Sequence, residues 1–359
     1  MSERIDDLLD AWFERSFRRA GVGRVAKRTL THTKIACSKS ASVPRKGMQL
    51  GRMKLVSTVR KAPEVMVKIS GGGKGIPQVA AHLSYISRNG LVELENENGE
   101  VVLGREALRD LRDEWQFGQY GIPEVGHCKQ AFNIVLSMPP GTDRTAVKSA
   151  ARDFAARQFG GNHPYVFAEH ADEAHPHVHL CVKAMGDDGT RLNPRKADLQ
   201  RWREEFAQSL WEQGVAANAT RRVARGVVRK SAKQQVIQME HRGQRSVALD
   251  GQRRAVVEEL QGENTHPNPL RHAIDRSRKR VVTAYGEAAR LLASSPRVDD
   301  RRLALEIVEF VRDMPPPLSA REMAIAKRRD KRLGGGERVA EGRESKPREI
   351  GIKPEERER

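Results

Sequence analysis

The chain has little cysteine, few aromatic residues and no long apolar run, and one stretch of it lacks acidic residues altogether. Its three cysteines, Cys37, Cys128 and Cys181, lie far apart and form no CxxC pair. That spacing indicates neither a disulfide framework nor a thiolate zinc site, and it fits a reducing cytoplasm. No apolar run approaches membrane-spanning length. The opening MSERIDDLLDAWFERSF is charged from the start and lacks the apolar centre of a signal peptide. Hydrophobic residues make up 38% and charged residues 31%, so only part of the 359 residues need fold compactly. From Arg15 to Pro63 there is no Asp or Glu, yet fourteen Lys or Arg occur.

What is abundant is positive charge. The formal net charge is +18 and the pI about 10.2. Such a balance points to a polyanionic partner, nucleic acid first, because each neutralised phosphate releases counterions. Residues 1–63 read as a basic, poorly ordered N-terminal arm able to lie along phosphates, with an inert linker as the competing reading. An amphipathic helix over residues 4–19 opens it, with Ile5, Leu8, Leu9, Trp12 and Phe13 on one face.

Periodic structure begins at Glu64. EVMVKIS places Val65, Val67 and Ile69 on one side of a strand. GGGKG, at Gly71–Gly75, breaks it and lacks the full P-loop pattern, so nucleotide hydrolysis is not expected. A helix follows, with Pro77 in its first turn and Asn89-Gly90 at its end. LVELENENGEVVL reads as two short strands joined at Asn98-Gly99. Helices are expected over Arg105–Gln119, Thr145–Phe159 and Ala197–Gln213. Ala131–Asp143 reads as a buried strand ending in a turn, and Pro164–Glu169 and Val178–Ala184 as a strand pair. Trp115, Phe117 and Phe154 are expected in the core, with base stacking the alternative for an exposed aromatic. The order of elements predicts an α+β fold, a sheet with helices packed on it. Residues 64–217 would be the catalytic domain, 218–328 a basic helical region and 329–359 a disordered tail.

The chemistry concentrates in HADEAHPHVHL, His170–Leu180, which holds four of the eleven histidines. On a strand, His177 and His179 share one face and Val178, Leu180 and Val182 the other. Two parallel imidazoles roughly 7 Å apart can converge on one ion. His170 can add a third nitrogen if ADEAHP turns the chain back, and Pro176 suits that turn. Three nitrogen ligands leave positions open, as a catalytic metal requires. Asp172 can orient an imidazole or accept a proton, whereas Glu173 reads as an exposed turn carboxylate. The competing reading, unconnected surface histidines, is the weaker one for an H-x-H on a strand with a third histidine close by. Imidazoles by themselves favour Zn, Mn, Fe, Ni or Cu over Mg.

A metal beside a phosphate still needs a nucleophile. Water would give hydrolysis, and a tyrosine a covalent intermediate that keeps the bond energy. Among Tyr85, Tyr120, Tyr165 and Tyr285, Tyr85 has Arg88 and Lys74 near it in sequence, two cations suited to hold a phosphate. Spacing does not single it out. His82, one helical turn before it, reads as an ordinary helix-face histidine.

Three segments in order, HLSYISRNG at Tyr85, SMPPGTD at Ser137 and HADEAHPHVHL, resemble the motifs of the MOBP class of conjugative relaxases. These are HUH-type DNA-nicking transesterases, and the likeness is greatest to the T-DNA border endonuclease branch. It runs from about Glu64 to about Gly243. The resemblance implies an HUH-endonuclease palm, a central antiparallel sheet with flanking helices, with Tyr85 as nucleophile. His170, His177 and His179 would hold a divalent metal, Mg or Mn, Asp172 would assist, and Ser137 would contact DNA. Lys74, Arg88 and His175 complete the expected DNA contacts. It further implies strand-specific nicking and religation at a transfer origin through a 5′-phosphotyrosine, initiating conjugative transfer or mobilisation. Expected partners are single-stranded and hairpin DNA, accessory relaxosome proteins and the coupling protein of a type IV secretion system, in the bacterial cytoplasm or, carried with the DNA, in the recipient cell. A plasmid or an integrative element would carry it. The alternatives are a rolling-circle replication initiator, in which the tyrosine usually follows the histidine pair, and a metal-dependent nuclease that uses water. A non-enzymatic basic DNA-packaging protein is the third. Lys183 departs from the family, which often has Asn there.

Overall fold

A computed structural model describes residues 2–13, 16, 50–228, 234–262 and 268–337. Six of its strands form one sheet: β1 (Met66–Gly71), β2 (Leu94–Asn96), β3 (Val101–Val102), β4 (Ala131–Ser137), β5 (Tyr165–His170) and β6 (His177–Lys183). They lie in the order β1-β4-β6-β5-β2-β3, every neighbouring pair antiparallel. The expected α+β architecture, a central antiparallel sheet with flanking helices, is what the chain adopts.

Alternation along the strands gives the sheet two faces. One buries Val67, Ile134, Leu136, Phe167, Val178, Leu180 and Val182 beneath α5 (Arg144–Gln158) and α6 (Lys196–Glu212), with Phe154, Trp202 and Phe206 filling the layer. Each such side chain contributes about 1.5–3 kcal/mol by leaving water. The other face carries α3 (Ile76–Ile86) and α4 (Gly104–Phe117), whose Val79, Leu83, Ile86, Leu111 and Trp115 pack on Val166, Ala168 and Cys181. Val65, Val67 and Ile69 thus share one side, as their alternation requires. Phe117 does not: it ends α4 and is 76% exposed, because Leu108, Leu111 and Trp115 already occupy the inward stripe.

α3 starts where the backbone of residues 123–126 crosses it. The Ile76 amide donates to the Pro123 carbonyl at 2.9 Å, and a β-carbon on Gly75 would collide with the Glu124 carbonyl. Close chain approach accounts for that glycine.

The chain divides into two compact units, residues 1–225 with 280–314, and residues 226–279 with 315–359. In the first, α1 (Ser2–Phe13) and α2 (Leu50–Val59) share a core with residues 281–314, that is the end of α9 (Arg271–Ala293) and α10 (Val298–Arg312). Ile5, Leu9 and Trp12 are buried there, while Leu8 is half exposed. Arg52 joins Asp6 at 2.5 Å and Asp300 at 2.6 Å, tying three helices together. A β-carbon on Gly51 would meet the Asp10 backbone, so α1 and α2 cross closely there. The helix at Leu50–Val59 was not expected inside the basic arm. It is short, contains Gly51 and has no clean apolar stripe, and its order comes from packing. Residues 14, 15 and 17–49, the rest of that arm, lie outside the described residues.

The second unit contains α7 (Gln234–His241), α8 (Val247–Gln261) and α11 (Ala320–Glu337), with Arg321 on α11 paired to Glu259 on α8 at 2.6 Å. α11 runs past Arg328, where a disordered tail was expected to begin; residues 338–359 of that tail are outside the described residues.

Candidate active site

The register of the β5–β6 hairpin builds the site. His170 ends β5 and His177 begins β6, directly opposite each other, so both rings leave the same face. His179 follows on that face opposite Ala168, whose small side chain leaves space for an imidazole. Ring centroids are separated by 5.5 Å (His170–His177), 5.2 Å (His177–His179) and 4.4 Å (His170–His179). One ligand nitrogen from each lies within 4.8 Å of the others.

Two rings have their protons assigned by backbone carbonyls. His170 Nε2 donates to the Ile86 carbonyl at 2.8 Å, and His177 Nδ1 donates to the His175 carbonyl at 3.0 Å. The opposite nitrogens, His170 Nδ1 and His177 Nε2, therefore carry the lone pairs a metal needs. His170 Nδ1 and His179 Nδ1 are buried without a hydrogen-bond partner. Burial, helped by the His170, His177 and His82 rings and Arg88, pushes His179 down to about 3 and keeps it neutral.

Tyr85, in the last turn of α3, lies over this cluster. Its ring is 6.0 Å from that of His170 and 5.7 Å from that of His179, both edge-on. It is 52% exposed and thus open to solvent. The Arg88 guanidinium lies 5.4 Å from the centre of the Tyr85 ring and pairs with Asp172 across the site. Arg88, Asn89 and Gly90 have φ of 51°, 58° and 86°, three successive left-handed residues that turn the chain sharply after α3.

The other sequence candidates take different places. Asp172 is bound to Arg88, with no hydrogen bond to an imidazole among the described residues. Ser137 is 4% exposed and stands beside His177 on β4, its hydroxyl donating to the Met138 carbonyl at 3.4 Å. His175 is exposed in the hairpin loop, its carbonyl engaged by His177. Lys74 is exposed two residues before α3, at the end of the helix opposite to Tyr85; Ile76 and Tyr85 are about 13.5 Å apart along the axis. Lys183, buried at the far end of β6, donates from Nζ to the Gln119 carbonyl at 2.8 Å.

Two residues read as ordinary, or passed over, belong to the site's surroundings. His82 stacks on Tyr85 with centroids 6.1 Å apart, has a buried Nε2 without a partner, and is pushed down to about 4 by burial and by His170. Its i, i+3 spacing to Tyr85 was the available signal. Arg144, at the start of α5, donates to the His170 carbonyl at 3.1 Å and to the Glu173 carbonyl, fastening the hairpin loop. Nothing local in the sequence announces that role, since its partners lie 26 and 29 residues away.

Comparison with known proteins agrees with this geometry. The family model described as Relaxase: MobA/VirD2-like, nuclease domain, matches residues 85–215, which include Tyr85, Ser137 and all three imidazoles. The chain is 29% identical over 198 residues to the T-DNA border endonuclease VirD2 of Rhizobium radiobacter, covering 50% of this chain and 46% of that protein. It is 28% identical over 186 residues to the T-DNA border endonuclease VirD2 of Agrobacterium fabrum, covering 46% and 42%. The protein of the same description from Rhizobium rhizogenes is 26% identical over 223 residues, covering 57% and 50%. The chain thus spans about half the length of the curated relatives it matches. The resemblance to relaxase-class HUH endonucleases, first read from three motifs, is supported over the segment that carries the site.

Proposed function

We propose that the chain nicks one strand of DNA at a transfer origin and later rejoins it, with Tyr85 as the nucleophile, and so initiates transfer or mobilisation of the DNA. The observation that carries this reading is the Tyr85 ring lying 6.0 and 5.7 Å from two rings of a three-imidazole cluster while remaining open to solvent.

The cluster fits a divalent cation: its nitrogens converge, and two of them are buried without any other partner. His170, His177 and His179 would hold the ion, Mn or Mg. When bound, it polarises the non-bridging phosphate oxygens and neutralises charge that develops at phosphorus.

The residues of the chain do the rest. The Ile86 and His175 carbonyls hold two of the imidazoles in the lone-pair orientation. Arg88, held by Asp172, keeps a positive charge beside the phenol, where it receives a phosphate oxygen. Tyr85 Oη gives its proton to Asp172 and attacks phosphorus in line. The bond from phosphorus to the 3′ oxygen breaks, and that oxygen takes a proton from solvent. The 5′ phosphate remains on Tyr85, and attack by a 3′-hydroxyl reverses the step. Ser137, His175 and Lys74 are proposed to contact the strand. The proposed partners are single-stranded and hairpin DNA, accessory proteins at the origin and a coupling protein of a secretion system. The proposed compartment is the bacterial cytoplasm; no helix among the described residues is long and apolar enough to cross a membrane.

The test is incubation with single-stranded oligonucleotides from the neighbouring DNA and Mn, with and without EDTA. A slower-migrating covalent band on the downstream fragment is expected, lost with EDTA and in Tyr85→Phe. Cleavage that survives in Tyr85→Phe without an adduct would mean that water is the nucleophile.

A further inference from the structure

The tyrosine helix has a second side. Between α3 and α4 lies a groove of about 280 Å³, walled by Leu83, Ser84 and Asn89 on one side and by Arg105, Arg109 and Arg112 on the other. At i, i+4 and i+7, the three arginines fall within about 60° of arc on α4. Glu106, Asp110 and Asp113 occupy a neighbouring sector, so the helix segregates its charges instead of mixing them. This arrangement puts like charges four residues apart, Arg105 with Arg109 and Glu106 with Asp110, which disfavours an isolated helix. Arg112 pairs with Asp113 at 2.6 Å, but among the described residues no carboxylate pairs with Arg105 or Arg109. Two exposed guanidinium groups therefore border an open groove with no salt-bridge partner among the described residues.

The groove and the candidate active site share the end of α3. Ser84, on its wall, immediately precedes Tyr85. Beyond the helix, the left-handed turn sends Arg88 to Tyr85 and Asp172 and Asn89 to the groove. Left-handed φ at a residue with a side chain costs about 1 kcal/mol or more. Here the Asn89 amide bonds the Ser84 carbonyl at 2.7 Å and the Gly90 amide the Ser87 carbonyl at 3.0 Å, which hold the turn.

We infer that this groove carries the sugar–phosphate backbone of the strand that Tyr85 attacks, with Arg105 and Arg109 each neutralising a phosphate beyond the scissile one. The identity of that strand rests on the proposed nicking function. The groove falls just below the ~300–1,000 Å³ of ordinary small-molecule pockets, which suits a backbone passing through better than an enclosed metabolite. An acidic protein segment has similar charge, but the wall residues Ser84 and Asn89 adjoin Tyr85 and Arg88 in the chain, which favours DNA.

The test uses the full chain in EDTA, where no strand is cut. Binding of labelled oligo(dT) is followed by fluorescence anisotropy through a salt series, for wild type, Arg105→Ala/Arg109→Ala and Arg105→Lys/Arg109→Lys, with circular dichroism to check the fold. Losing two phosphate contacts should reduce the slope of log affinity against log salt by about 1.4 and weaken low-salt binding roughly tenfold. The lysine pair should restore most of both. An unchanged slope and affinity in the alanine pair overturns the inference. So does a loss that lysine fails to restore, or loss of labelled polyglutamate binding with oligo(dT) binding intact. A wild-type chain that forms no covalent adduct on origin DNA would remove the nicking function and leave the slope to report on DNA binding. Normal adduct formation with an unchanged slope would remove only the groove.

Discussion

His170 Nε2 donates to the carbonyl of Ile86, the residue after Tyr85, at 2.8 Å. That carbonyl belongs to the last turn of α3, where no intrahelical amide reaches. One hydrogen bond thus does two things: it aims the Nδ1 lone pair of a candidate metal ligand, and it ties the tyrosine helix to the strand bearing that ligand. Bond and candidate ligand atom sit on opposite sides of one ring, so the Ile86 carbonyl fixes how that ring faces the cluster.

His177→Ala removes an imidazole without touching that tie. Affinity for Mn, measured by isothermal titration calorimetry, is expected to fall at least ~10–100-fold, the range seen even for lost supporting contacts to metal ligands. Unchanged Mn binding would show that the three rings do not act together.

Arg88→Ala separates catalysis from stability. The Arg88–Asp172 pair has side chains 40% and 53% exposed, so its loss should shift the urea midpoint by no more than ~1 kcal/mol equivalent. Adduct formation should slow by about tenfold, or ~1.4 kcal/mol, as the charge over the phenol is lost. Arg88→Lys should recover part of the rate. An adduct rate equal to wild type would count against the role given to this side chain.

The site should also weaken the metal-free protein in acid. The folded state holds His179 down at about 3, whereas the unfolded chain takes up that proton near 6.5. Between those values the unfolded state binds more protons, so stability rises with pH there. His179 therefore contributes full stability above about 6.5 and loses a few kcal/mol as pH falls toward 3. In EDTA, the urea midpoint of His179→Gln should fall less than that of wild type between neutral pH and pH about 4. Parallel curves would refute the shift.

Trp12→Ala tests whether the first helix is structural. Trp12 is 3% exposed, lies edge-on to Tyr285 at 5.9 Å and donates from Nε1 to the Ala284 carbonyl at 2.9 Å. Its loss should cost about 3–5 kcal/mol by chemical denaturation. Deleting residues 1–60 would therefore open a core as well as remove basic charge, and deleting only residues 17–49 is the cleaner test of an added DNA grip.

Much of the fold was legible because strands and helices announce their buried faces by period. The alternation H-V-H-L-C-V sends Val178, Leu180 and Val182 into one layer and His177 and His179 to the other, as the residues require. The glycine- and asparagine-marked turns fell where the backbone takes positive φ, at Asn89, Gly90 and Gly99. Leu50–Val59 escaped notice because its order comes from α1 and α10, which no window of ten residues contains. Phe117 was misjudged because helical period assigns a face but not the depth of the layer covering it.

The sequence by itself determined which side of each element its residues take, and so offered two parallel imidazoles, a third nearby and a strongly basic surface. Only the tertiary structure decided that His170 stands opposite His177, that Tyr85 and not another phenol overlies the cluster, and that Asp172 holds Arg88. Periodicity is set by backbone geometry over a few residues. Convergence depends on contacts such as His170 to Ile86, 84 residues apart, which form only when the whole sheet has chosen its register.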